Sequence, residues 1–325
     1  MTTRRDALVV FGAGISSMPF GTHAQPARGT PRLGFLHPAK FEASAVYTAL
    51  IPGLAERGYV NGKNIALELR SGNGKREMLE PLIADLLRSN VDLLLVVGPA
   101  AVKAASAATR TIPIIAIDLE SDPVQSGWMQ SLSRPGGNVT GLFLDLTGMS
   151  AKWLQLLREA APGARRISLL WDTASGGAQL AATNAAALAL VQVQTVPIEN
   201  WAEFDVAVNA AVRAGTQAFV VLSSPTAFQA SARLAEFTLR NRIPAISPFR
   251  PFAVAGGLMS YGPDLDLFFR RTAFMIDRIL KGAKPAEVAV EQPTKYEFVI
   301  NHRTAESLRL TIPQSLLLRA NEVIR

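Results

Sequence analysis

The groups in this chain that could do chemistry carry oxygen and aromatic rings rather than sulfur or clustered imidazoles. There is no cysteine, and histidine occurs only at His23, His37 and His302. Neither a thiol nucleophile nor a His/Cys metal cluster can be built from that supply. No Gly-x-Ser-x-Gly elbow is present. The Gly12-Ala-Gly14 pair follows no strand and lacks the third glycine of a dinucleotide loop. What remains is a series of small hydroxyls, carboxylates, glycines and rings, each directly after a short apolar run: His37; Gly98, Pro99 and Ala100; Asp118, Glu120 and Asp122; Trp171 and Asp172; Ser223 and Ser224; Ser247 and Phe249; and Tyr261. Such groups accept from amines, donate to carboxylates and stack on rings, which is the chemistry of holding a small organic molecule. The catalytic alternative is a secreted α/β hydrolase that uses Asp118 and Asp122 as paired carboxylates.

The elements that must position these residues alternate. Arg32–Leu36, Ile65–Arg70, Val91–Val97, Ile112–Ile117 and Val139–Leu144 read as strands. Between them, Val46/Leu50/Leu54 and Leu79–Leu87 keep helical spacing, and Asp122-Pro123 offers the cap and N1 residues of a short helix. A second series follows: helix from Lys152 to Ala160, strand Arg166–Trp171, an Ala-rich helix from Gly177 to Ala189, an extended run Val191–Ile198, strand Ala218–Leu222, helix Thr226–Asn241 and a short strand Ile243–Ile246. The tail from Ala255 to Ile324 repeats the pattern, with a strand at Leu258–Tyr261, a helix from Pro263 to Lys281 and an extended run Glu297–Asn301. Strands separated by helices imply parallel sheets with right-handed crossovers, and two such series imply two Rossmann-like α/β lobes. Ligands of open parallel sheets bind beyond the carboxyl ends of the strands, where the residues named above stand. Helix starts behind Gly98, Asp122 and Ser224 add free N–H donors.

Composition agrees with an exported two-domain protein. The length of 325 residues suits two domains, and the net charge of +7 is spread as isolated pairs such as Arg165/Arg166 and Arg270/Arg271. Without a basic helix or an aromatic platform, no nucleic-acid partner is expected. Arg4 and Arg5, the apolar run from Ala7 to Met18 and the Thr-His-Ala at 22–24 read as a signal peptide over 1–24, cut after Ala24, with Sec and Tat routes both open. A chain without cysteine has no lipid-acceptor residue, so a soluble periplasmic protein is expected.

Five motifs carry a resemblance: GYVNGKNI (58–65), SDPV (121–124), SRPGGNVTGL (133–142), AGGLMSYGPD (255–264) and LKGAKPAEVAVEQPTKYEFVIN (280–301). With them the chain resembles, from end to end, the tryptophan-type substrate-binding proteins of ABC transporters, whose fold is the type I periplasmic binding protein. The resemblance implies two lobes joined by three crossings, a solute gripped in the interlobe cleft, no catalysis and no cofactor. It also implies a monomer that delivers its solute to the permease transmembrane subunits. It places 30–145 plus 256–288 in the N-terminal lobe and 146–255 plus 289–325 in the C-terminal lobe. Two departures bear on the ligand. Pro99 stands where the family has a small polar residue, and Asp172 stands where it has asparagine. An ionised aspartate only accepts, so a cationic or donor-rich solute is expected there, with Asp122 the first choice for its amine or hydroxyl.

Overall fold

The computed structural model describes residues 29–42, 44–144, 146–187 and 191–325; the signal peptide expected over 1–24 lies outside them. The first sheet comprises β1 (Arg32–His37), β2 (Ala66–Ser71), β3 (Leu93–Val97), β4 (Ile114–Asp118) and β5 (Val139–Phe143), in spatial order β2-β1-β3-β4-β5 and parallel throughout. The second comprises β6 (Arg166–Asp172), β7 (Gln192–Ile198), β8 (Ala218–Val221), β9 (Ala245–Ser247), β10 (Met259–Pro263), β11 (Tyr296–Asn301) and β12 (Glu322–Ile324). Its order is β12-β11-β10-β9-β8-β6-β7, with β11 antiparallel to β10. Read from β7 to β10, the second sheet repeats the 2-1-3-4-5 order of the first, so each lobe has a topological switch point beside its first strand, which is where such sheets bind ligands.

Sequence dictates which strands are central. β3 (LLLVV) and β4 (IIAID) are buried along their whole length, as strands covered by helices on both faces must be. β2, which alternates Leu67 and Leu69 with Glu68 and Arg70, is half-buried at the edge. Among the helices that matter for the site, α1 (Ala45–Ala55), α2 (Leu79–Arg88) and α3 (Pro99–Ala108) belong to the first lobe. α4 (Ser150–Ala160), α5 (Ala178–Ala187), α6 (Phe204–Arg213), α7 (Pro225–Gln229), α8 (Ser231–Arg240) and α9 (Arg250–Val254) belong to the second. The fully buried Trp153 of α4 donates its indole N–H to the Tyr261 carbonyl at 2.8 Å, fixing that helix to β10.

Two local expectations change. Asp122-Pro123 opens hydrogen-bonded turns rather than a helix: the Asp122 carboxylate accepts from the N–H groups of Val124 and Gln125, and the chain turns away before a second helical turn forms. The helix expected over Thr226–Asn241 breaks between α7 and α8 at Ala230.

The lobe boundaries in the tail are also corrected. The strand Met259–Pro263 does not return to the first lobe: it is inserted between β9 and β11 in the second sheet, and its backbone ladder is satisfied there. Only the following helix α10 (Leu265–Leu280) crosses back. It packs on α1 so closely that a Cβ on Gly53 would sit 2.8 Å from that of Ala273, and Asp277 accepts from the Tyr59 hydroxyl at 3.1 Å. The crossing therefore lies at 263–265 rather than at 256. The return is likewise later than residue 289, because Glu291 still exchanges backbone hydrogen bonds with Gly141 and Phe143 beside β5. The Arg271 guanidinium grips the Glu291 carboxylate with two hydrogen bonds of 2.6 and 2.8 Å, and Lys295 reaches Asp264 at 2.9 Å, so the second and third crossings are tied to each other and to α10.

Candidate functional site

The carboxyl ends of the two sheets face one another, and the loops beyond them form a site in two parts. Its floor is a small apolar pocket between the lobes with a volume of about 30 Å³. The first lobe contributes His37, Val97, Ile117, Leu119 and Glu120; the second contributes Ser224, Pro225, Phe228 and Phe249; Leu265 and Phe269 of α10 complete it. The rings of Phe228 and Phe249 meet edge to face at 5.0 Å, and Phe228 meets Phe269 at 6.4 Å, so aromatic surface from both sides of the cleft converges. A volume of 30 Å³ admits a water or two and is far below the roughly 300 Å³ at which small-ligand pockets begin. At this separation of the lobes the floor pocket is too small for an organic solute.

Three contacts hold the lobes there. Ser223 Oγ donates to Glu120 Oε1 at 2.6 Å across the lobes. The Gln229 side-chain amide donates to the Lys40 carbonyl. Gly98, at φ +81°, lies so near the Pro225 ring that a Cβ there would stand 2.8 Å from Pro225 Cγ.

Glu120 is the electrostatic centre of the floor. It is 2 % exposed, and Asp118 beneath it is fully buried. Burial pushes the Glu120 carboxyl well above the usual carboxylate range and the neighbouring Asp118 charge pushes it the same way, against the Ser223 hydrogen bond. Burial also raises Asp118, although one of its oxygens accepts from the N–H groups of Glu120 and Ser121 at 2.8 and 3.1 Å. Both carboxyls are thus harder to ionise than free ones, and an arriving ammonium would favour the charged form of Glu120.

His37 shifts in the opposite sense. Burial lowers its pKa to about 4, and its Nδ1 accepts from the Ala39 N–H at 3.1 Å, so the ring is neutral with its proton on Nε2. The unfolded ring protonates below about 6.5. Its contribution to stability is therefore complete above that value and is lost as pH falls from 6.5 to 4, by about 3 kcal/mol at 1.36 kcal/mol per pH unit. Asp118 and Glu120, raised in the fold, have the opposite sign and favour the folded state as pH drops through the same range. Urea unfolding of wild type and His37→Gln at pH 7 and pH 4.5 separates them: the variant gains about 2–3 kcal/mol relative to wild type on going to pH 4.5. An unchanged difference between the two proteins would mean that His37 is not held neutral by burial.

The outer part of the cleft is an open, polar space of about 420 Å³. Arg76, Pro99, Ala100, Lys103, Glu120 and Asp122 line it from the first lobe, and the loop Thr173–Gly177 with the start of α5 lines it from the second.

Of the residues singled out in the sequence, His37, Ser224 and Phe249 line the floor, and Pro99, Ala100 and Asp122 line the outer cleft. Ser223 and Gly98 make the contacts across the lobes. The others have internal partners. Asp118 lies under the floor with no side-chain exposure. Asp172 is not an open acceptor: its oxygens take the Trp201 indole N–H at 2.9 Å and the Ala174 N–H at 3.0 Å. Trp171 donates to the Gly176 carbonyl at 2.7 Å, which shapes the 173–177 loop. Ser247 accepts from the Phe249 N–H, and the Tyr261 ring lies edge-on to Phe298 at 6.1 Å, in neither part of the cleft. For a paired-carboxylate hydrolase the geometry is unfavourable, since the carboxylate that shares the burial of Asp118 is Glu120 rather than Asp122. Among the described residues no group of three or more His, Cys, Asp or Glu side chains could hold a metal. Phe228, Phe269, Arg76, Lys103 and Ser175 are further lining residues that sequence reasoning passed over.

Two parallel 2-1-3-4-5 lobes with a partly apolar, partly charged cleft between their strand ends make up the type I periplasmic binding protein fold. Residues 36–324 match the ABC transporter substrate binding protein family, and the chain belongs to it. Over 263 residues it is 24 % identical to the tyrosine-binding protein of Clostridioides difficile, covering 79 % of this chain and 74 % of that one. Its fold matches the L-Trp complex of the ABC domain from Streptococcus pneumonia with a TM-score of 0.79 at 24 % identity, over 91 % of this chain and all of that one. A conserved domain protein from Vibrio cholerae matches with a TM-score of 0.80 at 23 % identity, again over 91 % of this chain and all of the other. Among the described residues no helix is long and apolar enough to cross a membrane.

Proposed function

We propose that this protein is the periplasmic solute receptor of an ABC importer, and that its cargo is a small organic molecule with an amine or other donor-rich head and an apolar body. The observation that carries this reading is the Glu120–Ser223 hydrogen bond, which spans the lobes at 2.6 Å directly beside the Phe228/Phe249/Phe269 surface. A buried carboxyl that lacks a cation, next to aromatic walls, suits an ammonium with a ring attached. The tyrosine and tryptophan named for relatives make those amino acids the first probes. The solute binds the open form, the lobes close over it, and the closed monomer docks on the permease transmembrane subunits. Export by the segment 1–24 delivers the chain to the periplasm.

A thermal-shift screen of the purified chain against amino acids, aromatic acids, sugars and small amines tests the reading. An amine-bearing solute at a hundred times its dissociation constant raises stability by about 2.7 kcal/mol. A flat response to every member, with turnover of one of them, would overturn it.

A further inference from the structure

Arginine pairs that stand far apart in the sequence meet at the pole of the second lobe opposite the cleft, where its parallel strands begin. There the Gln217 N–H donates to the Arg166 carbonyl at 2.9 Å and the Phe219 N–H to the Pro244 carbonyl at 3.0 Å. Gln217 Oε1 accepts from the N–H groups of Arg165 and Arg166 at 2.7 and 3.0 Å. These bonds set Arg165 and Arg166, at the start of β6, beside the loop after Arg213 of α6, and that loop beside Arg240 and Arg242, which precede β9. The short helix α11 (His302–Ser307) continues the row past Gly256, whose carbonyl takes the Thr304 hydroxyl at 2.8 Å, and adds Arg303. All of these arginines are exposed, and none makes an ion pair or a side-chain hydrogen bond among the described residues. The neighbouring carboxylates do not offset them: Glu159 is taken by Arg319, Glu306 faces His302, and Glu236 stands one turn above Arg240.

The helix dipole accounts for a cation at the end of α6 or α8, but Arg165 and Arg166 stand at no helix end. Arg242 holds a left-handed backbone, φ +55°, at the position after α8 where glycine is the usual residue. Gly215 leaves room for the Arg166 guanidinium, which a Cβ there would approach to 2.5 Å. We infer that this pole is a docking face for the anionic headgroups of a lipid bilayer. The row follows the ends of neighbouring strands from β11 to β6, so it is about 20 Å wide, which matches a surface carrying many phosphates rather than one small anion. Guanidinium forks meet phosphate oxygens two at a time. Leu239 and Val254 are exposed in the middle of the row, beside the Gly256 turn, and such aliphatic side chains add apolar burial at a lipid interface where a nucleic acid would call for rings. Because the face lies at the opposite ends of the strands from the cleft, it is a second site and does not depend on which solute is bound.

Co-sedimentation of the purified chain with vesicles tests it. At low ionic strength wild type binds vesicles of phosphatidylethanolamine with phosphatidylglycerol about thirtyfold or more tightly than vesicles of phosphatidylcholine alone, and about 1 M salt, which screens charges within about 3 Å, releases it. Arg165→Gln/Arg213→Gln/Arg240→Gln weakens binding to the anionic vesicles about a hundredfold, since each basic residue near such a surface contributes about fivefold, and does not move the thermal midpoint. Lys63→Gln/Lys75→Gln/Arg110→Gln removes the same charge from exposed positions of the first lobe and changes vesicle binding by less than about threefold. Equal binding to the neutral vesicles, an unchanged affinity in the second-lobe variant, or an equal loss in the first-lobe variant would overturn the inference. So would failure to bind the anionic vesicles, and retention on heparin alongside that failure would assign the face to a soluble polyanion instead.

Discussion

Glu120→Ala lowers affinity for the best-binding amine of the solute screen at least a hundredfold, while the ligand-free protein melts no lower than wild type at pH 7. Both halves follow from burial. With Glu120 only 2 % exposed, an ammonium brought against it is paired in a medium with little water. Removing one partner of a desolvated charge pair costs about 2–5 kcal/mol, and a hundredfold is about 2.7 kcal/mol. The same burial is unfavourable when no cation is present, because the fold holds the carboxyl above its ordinary range beside Asp118. At pH 7 the folded state bears that cost and the unfolded state does not, so removing the group relieves it. Glu120→Gln is the gentler probe: it keeps an acceptor for Ser223 and loses only the charge, and a tenfold to hundredfold loss is expected. Calorimetry and thermal melts of the three proteins check this. Unchanged affinity in both variants would place the amine elsewhere in the cleft.

Gly98→Ala weakens binding of the same solute about tenfold, and Gly98→Val by more than a hundredfold, because the lobes can no longer meet. The new Cβ would lie 2.8 Å from Pro225 Cγ, a separation that a rigid proline ring cannot relieve by rotating. Gly98 stands on the first lobe and Pro225 on the second, so this clash arises only on closure. At φ +81° and ψ 158°, a region that essentially only glycine occupies, an alanine also costs about 1–3 kcal/mol of backbone strain, which lies within the first lobe and does not depend on Pro225. Pro225→Ala separates the two effects. In the double variant Gly98→Ala/Pro225→Ala the affinity returns to within threefold of Pro225→Ala alone, while the loss in melting temperature persists. If affinity does not recover, the contact is not what closure depends on.

The fold and the outline of the site were legible because each strand announces its own end. Runs such as LLLVV before Gly98 and AFVV before Leu222-Ser223 can only be central strands, and the residue that follows each must face the ligand side. His37, Ser224 and Phe249 come together for that reason. What could not be read was set by partners distant in sequence. Asp122, with its proline, was the more conspicuous carboxylate, yet it caps a turn at the rim, while Glu120 two residues earlier is turned inward to meet Ser223. Asp172 read as an open acceptor, because nothing local reveals that Trp201 takes its oxygen. Phe228 and Phe269 lie on helices, where a phenylalanine reads as core until the opposing lobe is in place. The crossing at 263–265 is not legible in the pattern because a strand and the helix after it read as one unit, whereas the ladder of β10 belongs to one lobe and the packing face of α10 to the other.

A receptor cleft holds its solute and does not transform it. Equilibrium dialysis of the purified chain against the best-binding solute of the screen, with mass analysis of what is released on denaturation, addresses both parts. One equivalent per chain, saturable and recovered unaltered, with binding weakened at least a hundredfold in Glu120→Ala, is the result predicted here. A solute recovered in hydrolysed form, or one held equally well after Glu120 is removed, would contradict it.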